Sequence, residues 1–218
     1  GSWGGTADAV KDMQDVWIEF QSTVTQQPVK LHALWHPAPK RDAPVLMYLH
    51  GARWNVTGSA FRIQRMRDLG FHVLAVDYRG FGRTSQETPS ESMAYEDALA
   101  AWQWLAVAHP GKQRFIFGHS LGGAVAIELA SQVHDERGTI VEGTFTSIPE
   151  VFKTMKWGWL PVSTFITQRF EAINKVAHIG SPLLVVHGSQ DTLIKPELGR
   201  QLFDAAVEPK RFLLVDGG

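Results

Sequence analysis

Ser120 stands at the centre of Gly118-His119-Ser120-Leu121-Gly122, a G-x-S-x-G run. The apolar stretch Phe115-Ile116-Phe117 precedes it and Gly123-Ala124-Val125-Ala126 follows it. This order predicts a strand, a one-residue corner and a small-residue helix, with the serine at the corner. A residue in so tight a turn holds a strained backbone, and the flanking glycines let strand and helix approach without Cβ clashes. The turn lifts the hydroxyl clear of the sheet edge, where the first N–H groups of the helix also point. That is a setting for nucleophilic attack by an alcohol. A serine hydroxyl is a poor nucleophile until a base takes its proton and an acid orients that base. Nine histidines are available as bases: His32, His36, His50, His72, His109, His119, His134, His178 and His187. No pair of them lies at metal-ligand spacing on a helix, so neither a metal nor another cofactor is expected.

Composition narrows the classes. With 218 residues, 44% of them hydrophobic and 20% charged, the chain suits one globular α/β domain. Lys plus Arg number 21 and Asp plus Glu 22, a net charge of -1, which gives no support for a nucleic-acid partner. There is no cysteine, which excludes disulfides, thiolate catalysis and cysteine metal sites. No apolar run is long enough to span a bilayer. Gly1-Ser2 fits a cloning scar, behind which a targeting segment could have stood. The cytoplasm is the default expectation.

The elements that must position Ser120 follow from periodicity. Residues 16–24 and 29–35 read as an antiparallel hairpin turning at Gln26-Gln27-Pro28. Residues 44–51 form a continuous apolar run ending in glycine, as expected of a strand buried on both faces. Ser59 is a candidate cap for a helix ending at Gly70. Residues 71–77 are the next strand, leading into Tyr78-Arg79-Gly80-Phe81-Gly82, where an Asp77–Arg79 pair could hold the loop. A helix over 92–108 carries Ala94, Ala98, Ala101 and Leu105 on one face. Further strands are expected at 139–145, 183–188 and 211–216, with a helix from Pro196 presenting Leu198, Leu202 and Ala205. Between Pro149 and Pro182 the pattern changes, and residues 149–182 read as a small helical cap inserted in a single 1–218 domain. Alternating strands and helices call for a mostly parallel sheet with ligands beyond its carboxyl edge.

Four segments appear in order: Tyr48-Leu49-His50-Gly51, Asp77-Tyr78-Arg79-Gly80-Phe81-Gly82, Gly118-His119-Ser120-Leu121-Gly122-Gly123 and His187-Gly188-Ser189-Gln190-Asp191. With them the chain resembles the α/β-hydrolase superfamily of serine hydrolases, in the small-cap lysophospholipase, esterase and peptidase-like branch. The resemblance implies a mostly parallel central sheet with an antiparallel N-terminal hairpin, helices on both faces and a small helical cap. It also implies that Ser120 is the nucleophile and that Asp191, following the strand at 183–188, is the acid. The oxyanion would rest on the backbone N–H of Leu121 and on one from the loop after Gly51, at Ala52 or Arg53. Trp157 and Trp159 would either wall an acyl pocket or form the core of the cap. No histidine follows Asp191 in the chain. The family's base is therefore expected beyond Gly218, together with a closing helix, and the natural C-terminus is expected to lie further on.

The expected function is hydrolysis of a small-molecule carboxylic ester, including lipid-like ones, through an acyl-enzyme on Ser120. Thioesters and small amides fit the same chemistry. The alternative is a non-catalytic member of this fold that binds an apolar ligand or a partner. Epoxide opening and dehalogenation on this fold usually use an aspartate where Ser120 stands.

Overall fold

The apolar run at 44–51 becomes strand β3 (Val45–Leu49), all five of whose side chains are buried. A strand covered on both faces needs no polar alternation. The computed structural model describes residues 13–51, 56–79, 90–153 and 168–217. The chain divides into two compact units, residues 1–48 with 54–114 and residues 49–53 with 115–218.

The first unit holds β1 (Gln14–Gln21), β2 (Pro28–His36), β3, α1 (Val56–Asp68), β4 (His72–Asp77) and α2 (Glu91–Ala108). Its strands lie in the order β1-β2-β4-β3. The predicted hairpin is present, with Gln14 opposite Trp35 and Gln21 opposite Pro28. Strand β2 also runs antiparallel to β4, His32 opposite Asp77. Helix α1 starts three residues before Ser59, so that serine does not cap it. Its hydroxyl is buried instead, 3.5 Å from Tyr48 Oη. The far end is as expected. Gly70 takes φ +107°, its N–H donates to Arg67 O and the Phe71 N–H donates to Met66 O, a Schellman close.

Helix α2 is capped by Ser90, whose Oγ accepts from the Met93 N–H. Ala94, Ala98, Ala101 and Leu105 face inward as their spacing requires, and Asp97 is buried among them. Its partner is Arg79, just past β4. Arg79 Nε donates to Asp97 Oδ1 at 2.7 Å and the Arg79 N–H donates to Oδ2 at 2.8 Å. Arg79 Nη2 donates to Glu96 at 2.5 Å and Nη1 to Ser22 Oγ at 3.1 Å. Arg79 thus ties the end of β4 to α2 and to the β1–β2 turn, rather than only closing its own loop on Asp77. Asp77 Oδ2 lies 3.8 Å from His32 Nδ1 on β2. Partial burial pushes Glu96 up, but bonds from Ser22, Arg79 and Thr23 outweigh it and hold the carboxyl at about 2.

The second unit holds β5 (Arg114–His119), α3 (Leu121–Gln132), β6 (Gly138–Glu142), α4 (Ile148–Phe152), β7 (Leu183–Gly188), α5 (Pro196–Ala205) and β8 (Lys210–Val215). Strands β5, β6, β7 and β8 are all parallel, with Phe115 beside Gly138, Thr139 beside Leu183 and Leu183 beside Lys210. Strand β6 stops at Glu142, short of the predicted 145, because Gly143 turns the chain at φ +60° and donates to Val186 O. In α5, Leu198 and Leu202 are buried, whereas Ala205 is exposed and Ala206, just past the helix, takes the inward position. Of the expected cap, the ends are described: α4, and two 3₁₀ turns at Ala172–Asn174 and Val176–His178. Trp157, Trp159 and Ala52 lie outside the described residues. Among the described residues no helix is long and apolar enough to cross a membrane.

Candidate active site

Ser120 occupies the corner between β5 and α3 with φ 56° and ψ -119°, a conformation that side-chain-bearing residues rarely adopt. Three hydrogen bonds on its own backbone hold it there. The Ser120 N–H donates to Glu142 O at 2.9 Å, and Ser120 O accepts from the Gly123 N–H at 2.9 Å and Thr144 Oγ1 at 3.2 Å. Strain of this kind persists only where the surroundings over-determine it. The side chain stands at the N-cap of α3 yet makes no capping bond, which leaves Oγ available for chemistry. The Leu121 N–H is the first of the helix and has no acceptor within it.

The close approach that makes this corner is steric. A Cβ on Gly118 would fall on the Gly122 carbonyl, and one on Gly122 would fall on the Leu49 and His50 carbonyls. A Cβ on Gly123 would overlap the Thr144 hydroxyl. The loop after β3 therefore lies directly against the elbow. A Cβ on Gly51 would sit 3.6 Å from Ser120 Oγ. This is the segment from which the second oxyanion donor is expected.

Asp191 is fixed by the loop after β7. Its N–H donates to Gly188 O, and its Oδ1 accepts from the Leu193 N–H at 3.1 Å and the Ile194 N–H at 2.9 Å. Its Oδ2 points toward Gly143, 3.6 Å from where a Cβ there would be, and the His119 ring lies 3.9 Å from the same point. Gly143 and Thr144, just past β6, thus join the site between the two predicted residues. Sequence reasoning did not single them out, since neither belongs to a recognisable motif.

Two histidines in the motif segments are committed to structure. His187 Nε2 donates to Ile194 O at 2.7 Å, and its ring fills the space that a Cβ on Gly199 would need. His50 Nδ1 donates to Gly51 O at 2.7 Å. Burial drives its pKa down to about 3, helped by His119 and opposed by the Gly51 bond. His50 is therefore neutral in the folded protein. A depressed histidine contributes stability that is complete above its unfolded value of 6.5 and is lost as pH falls from there toward 3. By about pH 4.5 the loss is on the order of 3 kcal/mol. Above the 4.5 of an ordinary glutamate, the Glu96 contribution has not begun to fade. Urea unfolding at about pH 7 and about pH 4.5 should show His50→Asn losing on the order of 3 kcal/mol less than the parent between the two. Equal losses would refute a neutral His50.

Among the described residues no group of three His, Cys, Asp or Glu could hold a metal ion. The arrangement offers a strained, uncapped serine, a helix N-terminus beside it and an anchored carboxylate, a set suited to acyl transfer.

Comparison with known proteins gives this arrangement its relatives. The family model described as serine aminopeptidase, S33, matches residues 40–171. A lysophosphatidylserine lipase of Danio rerio is 34% identical over 208 residues, covering 81% of this chain and 54% of that protein. An uncharacterised protein of Mycobacterium tuberculosis is 32% identical over 208 residues, covering 94% of this chain and 71% of its own length. The chain therefore spans about half the length of the lipase relative. Among solved structures, an esterase of Pyrococcus furiosus superposes with a TM-score of 0.76 at 20% identity, over 97% of this chain and 85% of that one. A soluble variant of monoglyceride lipase from Saccharomyces cerevisiae gives 0.70 at 14% identity, over 94% and 85%. These likenesses show the α/β-hydrolase fold. The family match spans more than half the chain and includes the elbow, and the chain belongs to the serine aminopeptidase S33 family of α/β-hydrolases.

Proposed function

We propose that this protein hydrolyses carboxylic esters with lipid-like acyl or alcohol groups, through an acyl-enzyme on Ser120. The observation that carries the reading is the uncapped Ser120 hydroxyl at a backbone geometry three hydrogen bonds enforce. The lipase and esterase relatives support the substrate class.

In the first step Ser120 Oγ attacks the ester carbonyl carbon as its proton passes to a general base. The tetrahedral oxyanion rests on the Leu121 N–H and on a backbone N–H of the loop after Gly51, with Ala52 the proposed donor. The C–O bond then breaks, the alcohol leaves with the proton from the base, and an acyl-serine remains. Water, deprotonated by the same base, releases the acid and restores Ser120. Asp191 orients the base through Oδ2, its Oδ1 being held by two backbone donors. His50 and His187 are excluded as that base by their carbonyl bonds and burial. We infer a histidine in that role, on the serine, acid, histidine order of the fold. Trp157 and Trp159 are proposed to wall the acyl pocket.

A fluorophosphonate probe tests the reading. On the full chain it should label Ser120, and Asp191→Asn should slow labelling. A folded full chain that takes no label would refute the proposal.

A further inference from the structure

We propose that the outer face of α1, with the adjoining loop at residues 37–44, docks on an anionic lipid bilayer. Its binding readout is independent of the ester-hydrolase reading.

Helix α1 turns Ile63 and Met66 inward, both buried. Phe61 is 65% exposed and Leu69, just past the helix, 68% exposed. Eight residues apart with Arg65 midway, the three form one line along the helix. The Arg65 guanidinium lies over the Phe61 ring, 5.6 Å from its centroid. Arg67 Nε donates to Pro37 O at 2.8 Å, bringing the 37–44 loop alongside, and Lys112 Nζ donates to Arg41 O at 2.8 Å. In sequence, the 37–44 loop and residues 56–69 carry Lys40, Arg41, Arg62, Arg65 and Arg67 with Asp42 and Asp68, and Lys112 joins them at Arg41, in a chain whose net charge is -1.

The pattern decides between partners. The core of a protein interface is depleted of charge and packs its apolar groups contiguously. Here two large apolar tips stand apart, with cations between and beside them. A helix lying in the headgroup layer has that character: its apolar side chains pass below the phosphates while its basic side chains meet them. The excess of cations selects an anionic surface over a zwitterionic one.

The test is co-sedimentation of the full chain with vesicles of phosphatidylcholine alone, and of equal parts phosphatidylcholine and phosphatidylserine. Binding to the mixed vesicles should be at least about tenfold stronger and should weaken with added salt. Phe61→Ser with Leu69→Ser should reduce it about tenfold or more. Arg62→Gln with Arg65→Gln should remove most of the preference for phosphatidylserine. Both pairs should keep the parent's thermal midpoint and its turnover of a water-soluble ester, which separates failure of docking from failure of catalysis. No sedimentation with the mixed vesicles, or sedimentation that both pairs leave unchanged, overturns the proposal. So does binding indifferent to phosphatidylserine.

Discussion

Ser120→Gly is expected to abolish ester turnover and, at the same time, to make the folded protein more stable. The first effect follows from the proposed nucleophile: removing a triad serine lowers turnover on the order of a million-fold. The second follows from the backbone. A residue with a side chain at φ 56°, ψ -119° carries strain of about 1–3 kcal/mol, whereas glycine enters this region freely. Glycine also loses more freedom on folding, by up to about 1 kcal/mol, so the net gain is on the order of 1 kcal/mol. Ser120→Ala separates the two effects, because it removes the hydroxyl and keeps the Cβ. Both variants should be inactive towards a soluble ester, and only the glycine variant should unfold at higher urea. Substantial turnover by Ser120→Ala would refute the nucleophile. A glycine variant no more stable than the alanine one would show that no strain is stored at the elbow.

The elbow was legible because its sequence states its own steric demand. Gly118, Gly122 and Gly123 each face backbone or a hydroxyl at a separation no Cβ could share, and G-x-S-x-G after an apolar strand records that requirement. The buried strands were legible for a similar reason: β3 and β7 are short apolar runs that can be little else. What escaped was contact between segments far apart in sequence. Thr144 lies 24 residues from the Ser120 carbonyl it bonds, and no local pattern couples them. Asp97 sits within an alanine stripe that announces a buried face, yet nothing in α2 names Arg79, 18 residues earlier, as the group that lets a carboxylate stay there. Boundaries failed where one residue altered the path. Gly143 ended β6 early, and Ser59, read as a cap, was drawn under the helix toward Tyr48. Gly143 also shows how site and fold overlap, since the turn that shortens the strand is the one that Asp191 and His119 face.

Asp97→Ala is expected to cost the protein about 3–5 kcal/mol, as breaking one side of a buried ion pair does. The side chains of Arg79 and Asp97 are both fully buried, so without the carboxylate the guanidinium keeps its charge but cannot recover water. Glu96 still bonds Arg79 Nη2, which places the loss near the lower end of that range. Burial pushes the Asp97 carboxyl up further than Arg79 pulls it down, to about 7, so desolvation more than offsets the attraction within the pair. It follows that removing both charges should cost far less than removing one. Arg79→Met with Asp97→Leu should lie within about 1–2 kcal/mol of the parent by urea unfolding, while Asp97→Ala falls well below it. Equal destabilisation of the two would mean that the pair contributes by its attraction. The predicted difference would mean that Asp97 chiefly makes a buried Arg79 tolerable, and that Arg79 is held there to join the end of β4 to α2 and the β1–β2 turn.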